Sequence, residues 1–118
     1  MLFRSARYPE LPIWLAGFSF GAGVCARAAA TIHPAQLIAV APPATRLGPG
    51  LSGLMPACPW LVIQGDADEV VSCDAVRNWV AGLSPAPDLV VLPEVDHFFH
   101  GRLTLLRETL LERLADAG

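Results

Sequence analysis

Residues 12–31 read Pro12-Ile13-Trp14-Leu15-Ala16-Gly17-Phe18-Ser19-Phe20-Gly21-Ala22-Gly23-Val24-Cys25-Ala26-Arg27-Ala28-Ala29-Ala30-Thr31. An apolar run leads into Gly-x-Ser-x-Gly, and a run of small residues follows. The order predicts a strand over 12–17, a tight turn, and a helix over 21–31 stopped by His33-Pro34. A serine on such a corner has its hydroxyl pushed out above the sheet edge. Glycines at 17 and 21 let neighbouring backbone pass without a Cβ clash. The helix start aims free N–H groups and its positive end at the same place. These are the surroundings a nucleophilic serine needs, although a glycine-rich turn whose serine merely caps a helix satisfies the same pattern.

Downstream, the apolar blocks Gln36-Leu37-Ile38-Ala39-Val40-Ala41, Trp60-Leu61-Val62-Ile63-Gln64 and Leu89-Val90-Val91-Leu92 predict three more buried strands. Between them, 42–59 is rich in proline and glycine and reads as a long irregular loop carrying Leu47, Leu51, Leu54 and Met55. A loop of that length is more often functional or mobile than neutral. Helices are expected over 73–82 and 102–117, the latter with Leu103, Leu106, Leu110 and Leu114 on one face. Residues 1–10 read as the tail of a helix ended by Tyr8-Pro9-Glu10. Strands that run as continuous apolar blocks and alternate with helices give an α/β domain, a mostly parallel sheet with helices on its faces. No internal repeat interrupts that pattern.

In an open parallel sheet, sites form outside the carboxyl ends of the strands. Three such ends carry chemistry. Ser19 follows the first strand, Gly65-Asp66-Ala67-Asp68 the third, and Asp96-His97-Phe98-Phe99-His100 the fourth. A serine needs an imidazole to take its proton, and the imidazole needs a carboxylate to hold its tautomer. The chain order Ser, Asp, His is the one expected of α/β-hydrolases. Two choices stand open on the residues alone. Asp66 or Asp68 can be the acid, the other capping a turn, and His97 or His100 can be the base, with His97 nearer the strand end. Phe98 and Phe99 read as core or pocket wall.

The strand-GFSFGAG-helix, QGDADEVV and DHFFHG blocks resemble the α/β-hydrolase superfamily, and within it the small bacterial serine hydrolases without a cap domain, near the dienelactone-hydrolase-like group. The likeness runs from about Tyr8 onward. It implies hydrolysis of an ester or similar acyl bond, with Ser19 as nucleophile, His97 as general base, Asp68 as the acid of the G-x-x-D pattern and the Phe20 backbone N–H as an oxyanion donor. The family's sheet has about eight strands and this chain supplies the last four. The resemblance therefore implies that residues 1–118 form a single partial domain, the C-terminal half of a hydrolase with the N-terminal strands missing. The loop that carries the second oxyanion donor falls in the missing part. The first strand here is then a bare apolar edge through which the chain can form a homodimer. A truncated, non-catalytic fold that serves as a binding or assembly module is the alternative.

Composition narrows the classes further. The 118 residues are 53% hydrophobic and 16% charged, enough apolar mass for one core. A net charge of −3 without a Lys/Arg cluster points away from nucleic acid. No run of 18 apolar residues points to a membrane span, and the start lacks the pattern of a signal peptide, so a cytoplasmic protein acting on a small-molecule acyl substrate is expected. Cys25, Cys58 and Cys73 form no C-x-x-C pair, so neither a disulfide framework nor zinc is expected. Cys25 reads as a small buried residue, Cys58 as a loop residue, and Cys73 as a residue near a helix start, where a thiolate is favoured. The spacing of Asp66, Asp68, His97 and His100 fits no standard metal ligand pattern. A dinucleotide fingerprint over Gly21-x-Gly23 lacks the acidic residue about twenty positions on that the ribose requires. No cofactor is expected.

Overall fold

A computed structural model describes residues 12–47 and 56–115. The helix expected over residues 1–10, and Leu51, Leu54 and Met55, lie outside the described residues. The first strand, β1 (Trp14–Phe18), passes through Ser19 into α1 (Phe20–Ile32). Then come β2 (Gln36–Val40), the short α2 (Ala44–Leu47), β3 (Trp60–Gly65), α3 (Cys73–Ala81), β4 (Asp88–Leu92) and α4 (Leu103–Leu114). The α2 turn is a departure from the irregular loop expected over 42–59. Its Ala44 and Leu47 are buried, and Ala44, Arg46 and Leu47 are good helix formers, so a helical turn forms within the proline- and glycine-rich segment.

The four strands make one parallel sheet in the order β1-β2-β3-β4, with β1 at one edge of the described strands. Register aligns Ala16 with Ile38, Ile38 with Leu61 and Ile63 with Val90. Burial explains the continuous apolar blocks, because every residue of β2 and of β3 is buried. Alternate residues feed two cores. Leu37, Ala39, Trp60 and Val62 pack with Ala22, Ala26 and Ala29 of α1 and Val76 and Val80 of α3. Ile38, Val40, Leu61 and Ile63 pack on the opposite side with Leu92, Val95 and Phe99, where Leu106, Leu110 and Leu114 of α4 join them. Alanines let α1 approach the sheet closely. Leu103 borders the same apolar groove as Leu106 and Leu110, as the expected stripe requires, yet is 68% exposed at the helix start.

Coverage is uneven. On β1 the pattern turns to exposed and half-exposed, with Trp14 and Phe18 each 41% open to solvent. On the α4 side an apolar groove of about 460 Å³ runs along Phe18, Ile38 and Val40 toward Leu106. α1 ends at His33 in the left-handed conformation (φ 54°), its N–H closing on Ala29 O at 3.0 Å. No helix among the described residues is long and apolar enough to cross a membrane.

Candidate active site

The corner after β1 is strained. Ser19 has φ 53° and ψ −118°, outside the regions favoured by residues with a Cβ. Its N–H donates to Val40 O at 2.8 Å, tying the corner to the end of β2, and its carbonyl accepts from Ala22 N–H at 2.9 Å as α1 begins. A Cβ at Gly17 would lie 2.3 Å from the Gly21 carbonyl oxygen, so only glycine fits there. Gly21 is different: a Cβ there meets nothing within 4 Å among the described residues. The expectation that both glycines serve close backbone approach therefore holds for Gly17 and fails for Gly21. Gly21 and Gly23 also lie inside α1, past the turn where a dinucleotide fingerprint would need them.

Asp68 stands in the turn after β3. Its Oδ1 accepts from the N–H groups of Val70 at 2.8 Å and Val71 at 2.6 Å, and its side chain is 1% exposed. His97 follows β4, with a side chain 3% exposed. Its Nδ1 lies 2.8 Å from Asp68 Oδ2, and its Nε2 lies 3.0 Å from Ser19 Oγ. A carboxylate only accepts, so the Nδ1–H donates to Asp68, and in the neutral ring Nε2 is left to accept from the serine hydroxyl. Three strand ends thus contribute one member each to a continuous hydrogen-bonded row. Phe18 and Phe98 flank the imidazole, with ring centroids 5.1 Å and 4.8 Å from it.

The residues weighed as alternatives sit elsewhere. Asp66 is exposed, and its Oδ1 accepts from Glu94 N–H at 2.7 Å, pinning the turn after β3 to the one after β4. His100 points to solvent and pairs with Asp96. The hydrogen bond to Asp96 holds the His100 imidazole above its ordinary value, and the same bond holds Asp96 below the usual carboxylate range. Phe99 is core at 2% exposure, with φ 57°, and Phe98 is 56% exposed over the site. Phe20, expected as an oxyanion donor, is the first residue of α1 and directly follows Ser19.

One residue escaped the reading of the sequence. Gln64 is fully buried at the end of β3. Its Nε2 shares its two hydrogens among three acceptors, Asp68 Oδ2 at 3.1 Å, Val71 O at 3.2 Å and Gly65 O at 3.0 Å. It therefore holds the same carboxylate oxygen that faces His97. The available signal was a lone amide closing an otherwise apolar buried strand.

The cysteines take no part. Cys25 is partly buried and packs against the core of α1 and the sheet, its Sγ 3.4 Å from Ala16 O. Cys73 begins α3 behind the Ser72 cap, yet its thiol is pushed up, first by burial and then by Asp66, Asp74 and Asp68, against the opposing pull of Arg77. The thiolate that a helix start favours is thus not favoured here. Among the described residues no three His, Cys, Asp or Glu side chains converge as a metal-binding group.

Two solved structures share this arrangement of strands and helices. An α/β serine hydrolase without lid from Xanthomonas campestris is 47% identical and superposes with a TM-score of 0.87, the match covering 97% of this chain and 51% of that one. An α/β serine hydrolase homologue from Coxiella burnetii is 44% identical at a TM-score of 0.85, covering 95% of this chain and 53% of its own. The chain spans about half the length of the structures it matches. No protein-family model and no curated protein matches it.

Proposed function

We propose that this chain, which belongs to the α/β-hydrolase superfamily, carries the reacting groups of a serine hydrolase that cleaves an ester or similar acyl bond. The observation that carries the reading is the unbroken row from Ser19 Oγ through His97 to Asp68, at 3.0 Å and 2.8 Å. In this reading Ser19 Oγ attacks the acyl carbonyl while His97 Nε2 takes its proton. The carbonyl π pair moves onto oxygen, and the Phe20 N–H donates to that oxyanion. When the tetrahedral adduct collapses, the bond to the leaving group breaks and His97 returns the proton to it. Water then repeats the sequence on the acyl-serine, releasing the acid and restoring Ser19. Asp68 holds the imidazole and balances its transient charge. Gln64 holds Asp68. Residues 1–118 would then be the C-terminal half of the hydrolase domain, acting on a small acyl substrate.

The strain at Ser19 supports the same reading. A non-glycine residue at positive φ costs about 1–3 kcal/mol and persists where the surroundings over-determine it. A rival reading, a fold that binds without turnover, draws on the fact that the chain spans about half of the hydrolases it matches. A fluorophosphonate probe separates the two. Labelling of the folded chain at Ser19, abolished in Ser19→Ala and His97→Ala, is the result expected of the hydrolase. A folded chain that takes up no probe favours the binding module, and labelling that survives Ser19→Ala removes Ser19 as nucleophile.

A further inference from the structure

Beside Ser19 lies a cavity of about 480 Å³, within the range of small-molecule sites. Ser19, Phe20, Thr45, Arg46, Val71 and Ser72 are among the side chains that line it. Arg46 is the one charged residue in that lining. It sits on α2, exposed, and makes no salt bridge among the described residues, whereas Arg77, Arg102 and Arg113 each pair with a carboxylate. A second, smaller cavity of about 210 Å³ shares Phe20 and Arg46 and adds Arg27, which is likewise exposed and without a salt bridge among the described residues. The acidic residues of the neighbourhood, Asp66, Asp68 and Asp74, border a separate hollow whose guanidinium, Arg77, already pairs with Asp74. The space next to the nucleophile is thus walled by apolar and hydroxyl groups with a positive charge that no described carboxylate pairs.

We infer that the substrate is an ester whose acyl chain ends in a carboxylate, received by Arg46 while the ester carbonyl sits at Ser19. The inference rests on the Ser19 reading above and adds the chemical class of the substrate. A guanidinium offers a planar fork of donors that matches a carboxylate with two parallel hydrogen bonds. A neutral acyl chain of the same length would leave that fork to water. The apolar Phe20 and Val71 suit the methylenes between the two ends.

Binding and turnover are measured separately, on the whole 118-residue chain. Amide spectra are titrated with monomethyl succinate and with methyl butyrate, its neutral counterpart. The charged ester is expected to shift the signals of Phe20, Thr45 and Val71, and to bind about tenfold more tightly than the neutral one, as a charge-assisted hydrogen bond confers. Arg46→Gln, an exposed change outside the core, should erase the preference. Arg46→Lys should keep part of it, and added salt should shrink it. Equal binding of the two esters, binding of neither, or a preference that survives Arg46→Gln overturns the inference. Hydrolysis of the 4-nitrophenyl esters of succinate and butyrate is then followed. Anion-selective binding with no cleavage of either ester leaves Arg46 as the carboxylate receptor and removes the Ser19 reaction. Cleavage of both without selectivity removes the role of Arg46 and keeps the reaction.

Discussion

The two glycines of Gly17-Phe18-Ser19-Phe20-Gly21 should respond to the same substitution with opposite signs. Alanine at 17 brings its Cβ to 2.3 Å from the Gly21 carbonyl oxygen, 2.4 Å from its carbon and 2.7 Å from Ala22 N, all backbone atoms. Ordinary contact begins near 3.4 Å, so the α1 start would have to retreat by about an ångström. That start carries Ser19, whose Oγ is 3.0 Å from His97, so the retreat also breaks the row. Overpacking of this kind costs roughly 1–3 kcal/mol or more when only backbone can yield. Alanine at 21 meets nothing within 4 Å among the described residues and lies in a helix, where it is favoured over glycine by about 0.8–1 kcal/mol. Urea unfolding of the two variants against wild type, at constant m-value, measures both. Gly17→Ala should lower the midpoint and Gly21→Ala raise it. Equal losses would show that Gly21 is needed for close approach after all, and a neutral Gly17→Ala would refute the steric account of the corner.

Three further outcomes follow from the same geometry. Ser19→Gly should relieve the positive φ and stabilise the chain by about 1 kcal/mol, whereas Ser19→Ala keeps the strain, a difference readable by thermal unfolding. Asp68→Asn should remove the acceptor of the His97 Nδ1–H and cut probe labelling by orders of magnitude, while Asp66→Asn, which loses only the bond from Glu94 N–H, should change it little. For the exposed pair, His100 is held above its ordinary 6.5 and Asp96 below 3.8. The histidine's contribution to stability is complete below 6.5 and fades as pH rises through the folded value. The carboxylate's is complete above 3.8 and fades as pH falls through its own, so the pair helps most between the two. The His100 ring, followed by NMR, should titrate lower in Asp96→Asn.

Parallel sheet, helices on both faces and the identity of three strand-end residues were legible because each has a local signature: apolar blocks of strand length, a glycine-serine corner, acidic and histidine residues past the last apolar position. What stayed hidden depends on contacts between distant segments. In the sequence the resemblance alone favours Asp68 over Asp66, because what distinguishes them is that the N–H groups of Val70 and Val71 take up Oδ1 of Asp68 while its Oδ2 faces the ring. Gln64 reads as an ordinary strand polar residue until its amide is found against Asp68. The freedom at Gly21 follows from what does not lie next to it. Leu103 fits the helical stripe by spacing and borders the groove beside β1 and β2, yet stays 68% exposed. The α2 turn is held by burial of Ala44 and Leu47, which a proline-rich segment does not advertise.

The row at the site joins positions far apart in the chain: 78 residues separate Ser19 from His97, and 29 separate Asp68 from His97. Asp68 and His97 stand past the ends of the directly paired β3 and β4, whereas Ser19, past the end of β1, reaches them across β2. Loss of any one strand from the sheet therefore separates nucleophile from base before it disturbs either locally. In the hydrolase reading, probe uptake at Ser19 then doubles as a gauge of cooperative assembly. It should vanish with denaturant in step with the loss of parallel pairing, and a helix that frays without opening the sheet should leave it untouched. Among the described strands β1 pairs with β2 alone, so Ser19 is held to the sheet across that pairing and by the Val40 carbonyl.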